Sequence, residues 1–187
     1  MEPDENQWKP TELSERRISY DRDELSESDL HPTPLAQFQT WWQEVAASCQ
    51  PEPNAMVLST VDGAGQPSAR TVLLKGVDAA GFRFFTHFLS RKALAMAAQP
   101  RVALVFPWLV LQRQVTVLGA AEKMAAAESE AYFRSRPRDS QLAAWASRQS
   151  APIPDRSPLD SSMFELAQRW PEGVEIPMPD TWGGYLV

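Results

Sequence analysis

Apolar residues recur along this chain with two different periods. Leu35, Phe38, Trp42 and Val45 lie three to four residues apart behind Thr33 and Pro34, an N-cap and a first-turn proline. This spacing predicts an amphipathic helix ending near Cys49, because Gln50-Pro51-Glu52-Pro53 cannot continue it. From Ala55 the runs become short and rich in Val, Leu and Phe: AMVLSTVD, SARTVLLKGVD, GFRFFTH, RVALVFPW and RQVTVLGAAEK read as five strands. Asp62-Gly63-Ala64-Gly65 and Asp78-Ala79-Ala80-Gly81 read as hairpin turns, which makes the first three strands antiparallel neighbours.

After His87 the period lengthens again. Ser90 precedes Arg91, Lys92 and an Ala/Leu/Met-rich run, so its hydroxyl is placed to cap a helix inserted among the strands. Beyond Lys123 the chain turns helical over Ala125–Ser135 and Gln141–Ser147. A third helix runs from the cap Ser157 and Pro158 to about Trp170, and Trp182 to Val187 begins another strand. The resulting class is α+β, mainly β: hairpin-linked strands closing into a small closed or half-closed barrel with flanking helices.

Charge divides the chain. Residues 1–30 hold ten acids and four bases, whereas residues 31–187 hold fourteen of each, giving a net charge of −6. The first thirty residues, poor in periodic apolar positions, read as a mobile acidic arm with at most a short helix near Leu13 to Tyr20, and residues 31–187 as one domain. A neutral body lacks the basic face that nucleic acid requires. The single cysteine, Cys49, excludes an internal disulfide and a Cys-rich zinc site, and two histidines exclude a His-rich metal centre. With no apolar run long enough to span a bilayer, the expectation is a soluble cytoplasmic protein that binds no membrane and no metal.

No nucleophile elbow, P-loop or dinucleotide fingerprint is present. The sequence offers cations beside hydroxyls instead: Arg70 and Lys75 on one strand, Ser90-Arg91-Lys92 at a helix start, and Arg134, Arg136 and Arg138 around Pro137 ahead of Ser140. Two cations in a first helical turn have the wrong sign for the helix dipole, so a bound anion explains Arg91 and Lys92 better than structure does. The arginine triplet reads equally as a phosphate site or as a helix end lined with cations. Arg16, Arg17 and Tyr20 of the arm read either as a solvated face or as a flap over an anionic ligand. Phosphate sites without side-chain acid–base machinery fit a phosphorylated cofactor that carries the chemistry itself.

The strings RTVLLK (Arg70 to Lys75), FFT then SRK (Phe84 to Thr86, Ser90 to Lys92), RQV (Arg113 to Val115), YFRSRPRDSQ (Tyr132 to Gln141), WASRQS (Trp145 to Ser150) and WGGY (Trp182 to Tyr185) resemble the pyridoxamine 5'-phosphate oxidase family. The resemblance implies a split β-barrel homodimer with FMN at the subunit interface. It assigns FMN to Arg70, Thr71, Val72, Leu73, Leu74, Lys75, Phe85, Thr86, Arg91, Lys92 and Gln114, with Gln149 and Ser150 from the partner side. It assigns pyridoxamine or pyridoxine 5'-phosphate to Lys75, Tyr132, Arg136 and Ser140, with Arg17 and Tyr20 closing over it. The implied reaction passes a hydride from the substrate to the flavin, with O2 as acceptor and hydrogen peroxide as product.

Some positions depart from the family pattern. His87 stands where Asn is usual, Thr116 and Leu118 replace more polar residues, and Ala143 replaces a Gly. The family also continues past WGGY into further strands carrying flavin and substrate ligands, so the expectation is a terminal strand with an open edge and weakened turnover. The alternatives are a flavin or pyridoxal phosphate binding protein with little turnover, and an oxidase of another ring system such as a phenazine precursor.

Overall fold

The computed structural model describes residues 17–22 and 24–187. Among these residues, eight strands form two four-stranded antiparallel sheets. The first sheet has the order β2-β1-β5-β6, built from β1 (Ala55–Val61), β2 (Pro67–Leu73), β5 (Arg101–Trp108) and β6 (Arg113–Ala120). The second has the order β3-β4-β8-β7, from β3 (Gly76–Asp78), β4 (Gly81–His87), β7 (Glu122–Lys123) and β8 (Trp182–Leu186).

Two of the five expected strands are each broken in two, and the breaks carry the chain from one sheet to the other. At the first, the Leu74 amide donates to the Asn54 carbonyl beside β1, while the next amide, Lys75, donates to the Arg83 carbonyl of β4. At the second, Ala121 separates β6 from β7. These corners make a split barrel, because β2 and β4 flank a seam that no ladder closes. The terminal strand differs from expectation. β8 is paired on both sides, to β4 and to β7, so the open edges of this sheet are β3 and β7.

The barrel interior holds Met56, Leu58, Phe84, Leu104, Phe106, Trp108 and Tyr185. Its wall is extended by α1 (Pro34–Ala46), which starts at the expected cap, Ala36 N–H donating to Thr33 Oγ1 at 3.2 Å, and presents Phe38 edge-on to Phe82 and Phe106. A second core lies among α3 (Ala126–Ser135), α4 (Arg138–Ala146), α5 (Ser157–Arg169) and Trp182 of β8, around Phe133, Leu142 and Trp170. The inserted helix, α2 (Arg91–Ala98), follows β4 directly.

Two caps differ from the sequence reading. Ser90 occupies the N-cap of α2, yet its hydroxyl makes no capping bond and instead lies 3.4 Å from Lys92 Nζ. Ser157 is the first helical residue of α5, and its hydroxyl and amide both donate to Asp155. The helix end is also earlier than expected at Ala46, and α4 begins at Arg138 rather than Gln141. Leu13 to Arg16 of the expected arm helix lie outside the described residues, and Arg17 to Tyr20 have no regular structure. Arg22 ties this stretch to the β5–β6 hairpin through the Val110 carbonyl and Gln112. No helix among the described residues is long and apolar enough to cross a membrane.

Candidate functional site

The seam between β2 and β4 opens into a cavity of about 640 Å3, a size suited to a cofactor or drug-sized ligand. One wall is Thr71, Val72 and Leu73 of β2, an edge strand whose outer backbone ladder has no strand partner and so offers its amides and carbonyls. The end of β4 supplies Phe85, Thr86 and His87, and the corner supplies Lys75. The far wall comes from the α3–α4 junction: Tyr132, Ser135, Arg136, Pro137 and Ser140.

Lys92 carries the strongest electrostatic signal. It is the second residue of α2, 8% exposed, and its ammonium donates to Gln149 Oε1 at 2.7 Å and to Thr86 Oγ1 at 3.0 Å. No carboxylate lies within ion-pair distance among the described residues. Burial, aided by the charge of Arg70, pulls its pKa down to about 8. Arg70 is itself bound to neutral acceptors, the Leu58 carbonyl and the hydroxyls of Thr60 and Ser68, and its pKa is lowered by burial and by Arg91. A desolvated cation normally sits beside an anion, so two neighbouring cations, Lys92 and Arg70, satisfied only by neutral oxygens and with the exposed Arg91 close by, leave a phosphate's worth of charge uncompensated. The buried His87 imidazole is pushed down by burial and by Lys92, and its Nδ1 accepts the Leu89 amide.

The arginine triplet separates by function. Arg134 pairs with Glu130 at 2.7 Å and Glu175 at 2.9 Å. Arg138 donates to the carbonyls of Trp170 and Val174, closing the end of α5. Arg136 alone faces the cavity, its guanidinium carbon 4.6 Å from the centre of the Trp182 ring, and its Nη1 is buried with no hydrogen-bond partner. Burial lowers its pKa, and the neighbouring Tyr132 opposes that shift.

The rings that floor the cavity are nearly parallel. Phe85 lies 3.9 Å from Tyr132 and 5.3 Å from Trp182, with interplanar angles of 18° and 11°. Gly184 makes this possible, since it pairs with Phe85 across the β4–β8 ladder and a Cβ there would come within 2.9 Å of the Phe85 ring.

Of the residues named from sequence, Thr71, Val72, Leu73, Lys75, Phe85, Thr86, Lys92, Gln149, Tyr132, Arg136 and Ser140 converge on this cavity. Others do not line it. Leu74 packs in the barrel core, Arg91 is exposed at the start of α2, and Ser150 is an exposed loop residue at φ 72°. Gln149 accepts from Lys92 within its own chain. Gln114 and Tyr20 instead share a second cavity of about 250 Å3 with Trp41 and Arg113, and Arg17 lines neither. Sequence reasoning assigned no role to Trp182, although it stands at the head of the WGGY motif.

The comparisons with known proteins converge on one family. The model for pyridoxamine 5'-phosphate oxidase matches residues 42–167. The pyridoxine/pyridoxamine 5'-phosphate oxidase of Thermobifida fusca (strain YX) is 51% identical over 175 residues, 93% of this chain and 79% of the relative. That of Salinispora arenicola (strain CNS-205) is 55% identical over 161 residues, 86% of this chain and 73% of the relative. Among solved structures, PhzG from Burkholderia lata 383, in complex with tetrahydrophenazine-1-carboxylic acid, superposes with a TM-score of 0.81 at 25% identity, over 88% of this chain and 81% of that one. A pyridoxamine 5'-phosphate oxidase-related, FMN binding protein from Nostoc punctiforme PCC 73102 shares the fold at a TM-score of 0.66 and 16% identity, over 84% and 82% of the two chains. With most of the motif residues gathered in one cleft and two-thirds of the chain matched, the chain belongs to the pyridoxamine 5'-phosphate oxidase family.

Proposed function

We propose that this chain is an FMN-dependent oxidase that converts pyridoxamine or pyridoxine 5'-phosphate to pyridoxal 5'-phosphate. The observation that carries the reading is the pairing, in one cavity, of a buried Lys92 without a carboxylate and an Arg136 whose Nη1 has no partner. Each calls for its own anion, and a phosphorylated cofactor with a phosphorylated substrate supplies two. The family membership and the curated relatives' names support the same assignment.

In this reading Lys92, with Arg70 and Arg91 adding field, holds the FMN phosphate beside Thr86 and Gln149. The unpaired edge of β2 over Thr71–Leu73 would offer its amides and carbonyls to the polar edge of the flavin, and Phe85 would supply an apolar contact. Arg136, Ser140, Tyr132 and Lys75 hold the substrate phosphate. The chemistry supplied by bound FMN is hydride acceptance at N5 from the substrate's aminomethyl or hydroxymethyl carbon, with O2 reoxidising it to hydrogen peroxide. The chain's own part is orientation, since fixing the donor carbon against the ring replaces a bimolecular encounter. No side chain is required as the hydride acceptor.

A homodimer completes the reading. On the outer face of the first sheet, Ala69, Ser59, Ala103 and Leu118 form one cross-strand row and Thr71, Val57, Val105 and Thr116 the next, with no charge in either. Thr71 belongs both to this face and to the cavity wall, so a second copy seated there adjoins the bound ring and brings Gln114 of β6 within reach of it.

Titration of FMN into the purified chain, followed by pyridoxamine 5'-phosphate under air, tests the assignment. Quenching of flavin fluorescence and formation of pyridoxal 5'-phosphate with peroxide are expected. A chain that leaves FMN fluorescence unchanged at micromolar concentrations overturns it.

A further inference from the structure

Arg136 is surrounded by acceptors that are already taken. The Tyr132 carbonyl receives the Ser135 hydroxyl at 2.7 Å, the Phe133 carbonyl receives the Arg136 amide at 3.2 Å, and Gln141 Nε2 holds the carbonyls of Arg134 and Arg136 at 3.3 and 2.8 Å. At a helix end those carbonyls are where a nearby guanidinium would ordinarily turn. No carboxylate approaches it among the described residues. What the guanidinium has instead is the face of Trp182 at 4.6 Å and, further off at 5.7 Å, that of Phe133.

We propose that Trp182 is a positioning residue for the substrate phosphate, its indole face holding the Arg136 guanidinium flat so that Nη1 stays uncommitted until an anion arrives. The proposal rests on the reading that Arg136 takes that phosphate. Trp182 is suited to the task because it is itself immobilised: its ring lies within 11° of parallel to Phe85 and 8° of parallel to Tyr132, and Phe133 meets it edge-on at 5.2 Å. Its backbone is fixed opposite His87 in the β4–β8 ladder. A flat ring restrains a planar guanidinium without accepting its hydrogen bonds strongly, so orientation is set while the donors are kept for the ligand. A carboxylate in the same place would orient Arg136 equally well and neutralise it, abolishing anion recognition.

The test compares pyridoxal 5'-phosphate with pyridoxal, titrated by absorbance into the full chain, in Trp182→Leu, Trp182→Phe, Arg136→Ala, Arg136→Lys and the double variant Trp182→Leu/Arg136→Ala. Trp182→Leu is expected to weaken the phosphorylated ligand roughly five- to thirtyfold, the range of a desolvated cation–π contact, and to weaken pyridoxal much less. Trp182→Phe recovers most of that loss. The double variant binds no worse than Arg136→Ala alone, because both changes remove one device. Equal losses for both ligands, additive losses in the double variant, or wild-type affinity in Trp182→Leu overturn the proposal. Should Trp182→Leu fail to fold by circular dichroism, Arg136→Lys decides: it keeps the charge and cannot stack as a plane, so wild-type affinity there overturns the platform. If Arg136→Ala itself binds both ligands normally, the phosphate reading of Arg136 fails and the proposal falls with it.

Discussion

Lys92 Nζ lies 2.7 Å from the amide oxygen of Gln149, which also receives the Thr86 hydroxyl at 3.1 Å. A neutral dipole thus occupies the position where a desolvated ammonium calls for a full negative charge. Replacing Lys92 with Met keeps much of the stem's volume and removes the charge. The expected result is a loss of FMN affinity of about 1.5–3 kcal/mol, read as a weaker fluorescence titration, while the ligand-free chain unfolds at an equal or higher temperature. Unchanged FMN affinity in Lys92→Met would place the phosphate elsewhere.

The pKa of about 8 for Lys92 sets a pH window. Below it the side chain is protonated and binds a dianion; as pH rises through it, the charge and the affinity for FMN are lost. Affinity should therefore fall above about pH 8 in the wild type and stay flat in Lys92→Met. For folding without ligand the sign is the opposite. The folded pKa is depressed from 10.5, so the unfolded chain binds the extra proton between the two values. Stability from this group is lowest below pH 8 and rises towards 10.5, which denaturant midpoints across that range will report as a difference between wild type and Lys92→Met.

The three arginines around Pro137 give three separate outcomes. Arg138 holds the carbonyls that end α5, so Arg138→Ala should cost about 1–3 kcal/mol of stability by leaving them unpaired. Arg134 is more than half exposed in its pairs with Glu130 and Glu175, and Arg134→Ala should cost at most about 1 kcal/mol. Arg136→Ala should impair pyridoxal 5'-phosphate binding and leave FMN content intact. Equal flavin loss in the Arg136 variant would show that it serves the other ligand.

What the sequence made legible was local. Apolar period and turn residues located the strands and helices, since the alternation in AMVLSTV and the caps Thr33 and Pro34 act over a few residues. The two sheet crossings were not legible, because SARTVLLKGVD is apolar on both sides of Leu74–Lys75 and only the partner carbonyls, Asn54 and Arg83, distinguish the halves. Cation clusters pointed to phosphates, yet sequence alone left the arginine triplet open. The choice among Arg134, Arg136 and Arg138 depends on acceptors such as Glu175 and the Trp170 carbonyl, more than thirty residues away. The family motifs named most of the cavity lining; Trp182 escaped because its contribution is a ring face rather than a charge.

Gly184 tests the packing that shapes the cavity floor. An added Cβ would collide with the Met124 sulfur and lie 2.9 Å from the Phe85 ring, which is already pressed against Tyr132 at 3.9 Å. Met124 is half-buried and flexible, whereas Phe85 is held between Tyr132 and Trp182. Gly184→Ala should therefore destabilise the chain by roughly 1–3 kcal/mol and weaken ligand binding through the displaced ring. A variant with wild-type melting temperature and affinity would show that the stack yields more easily than its geometry implies.

The last expectation concerns the uncovered sheet face. Leu118 is 78% exposed and closes a row with Ala103, Ser59 and Ala69, and the adjacent row carries Val105 and Val57. A contiguous uncharged face of this kind marks an interaction surface more often than a solvated one. If a second copy seats there, Leu118→Lys places like charges across a two-fold contact and desolvates them, a combination that disfavours association strongly. Sedimentation velocity should show a dimer for the wild type and a monomer for Leu118→Lys. Because Thr71 belongs to the face and to the cavity wall, FMN affinity should fall together with dimerisation although no cavity residue is changed. A wild-type chain that is monomeric at micromolar concentration and still binds FMN would separate the two properties, leaving the cofactor site complete within one copy.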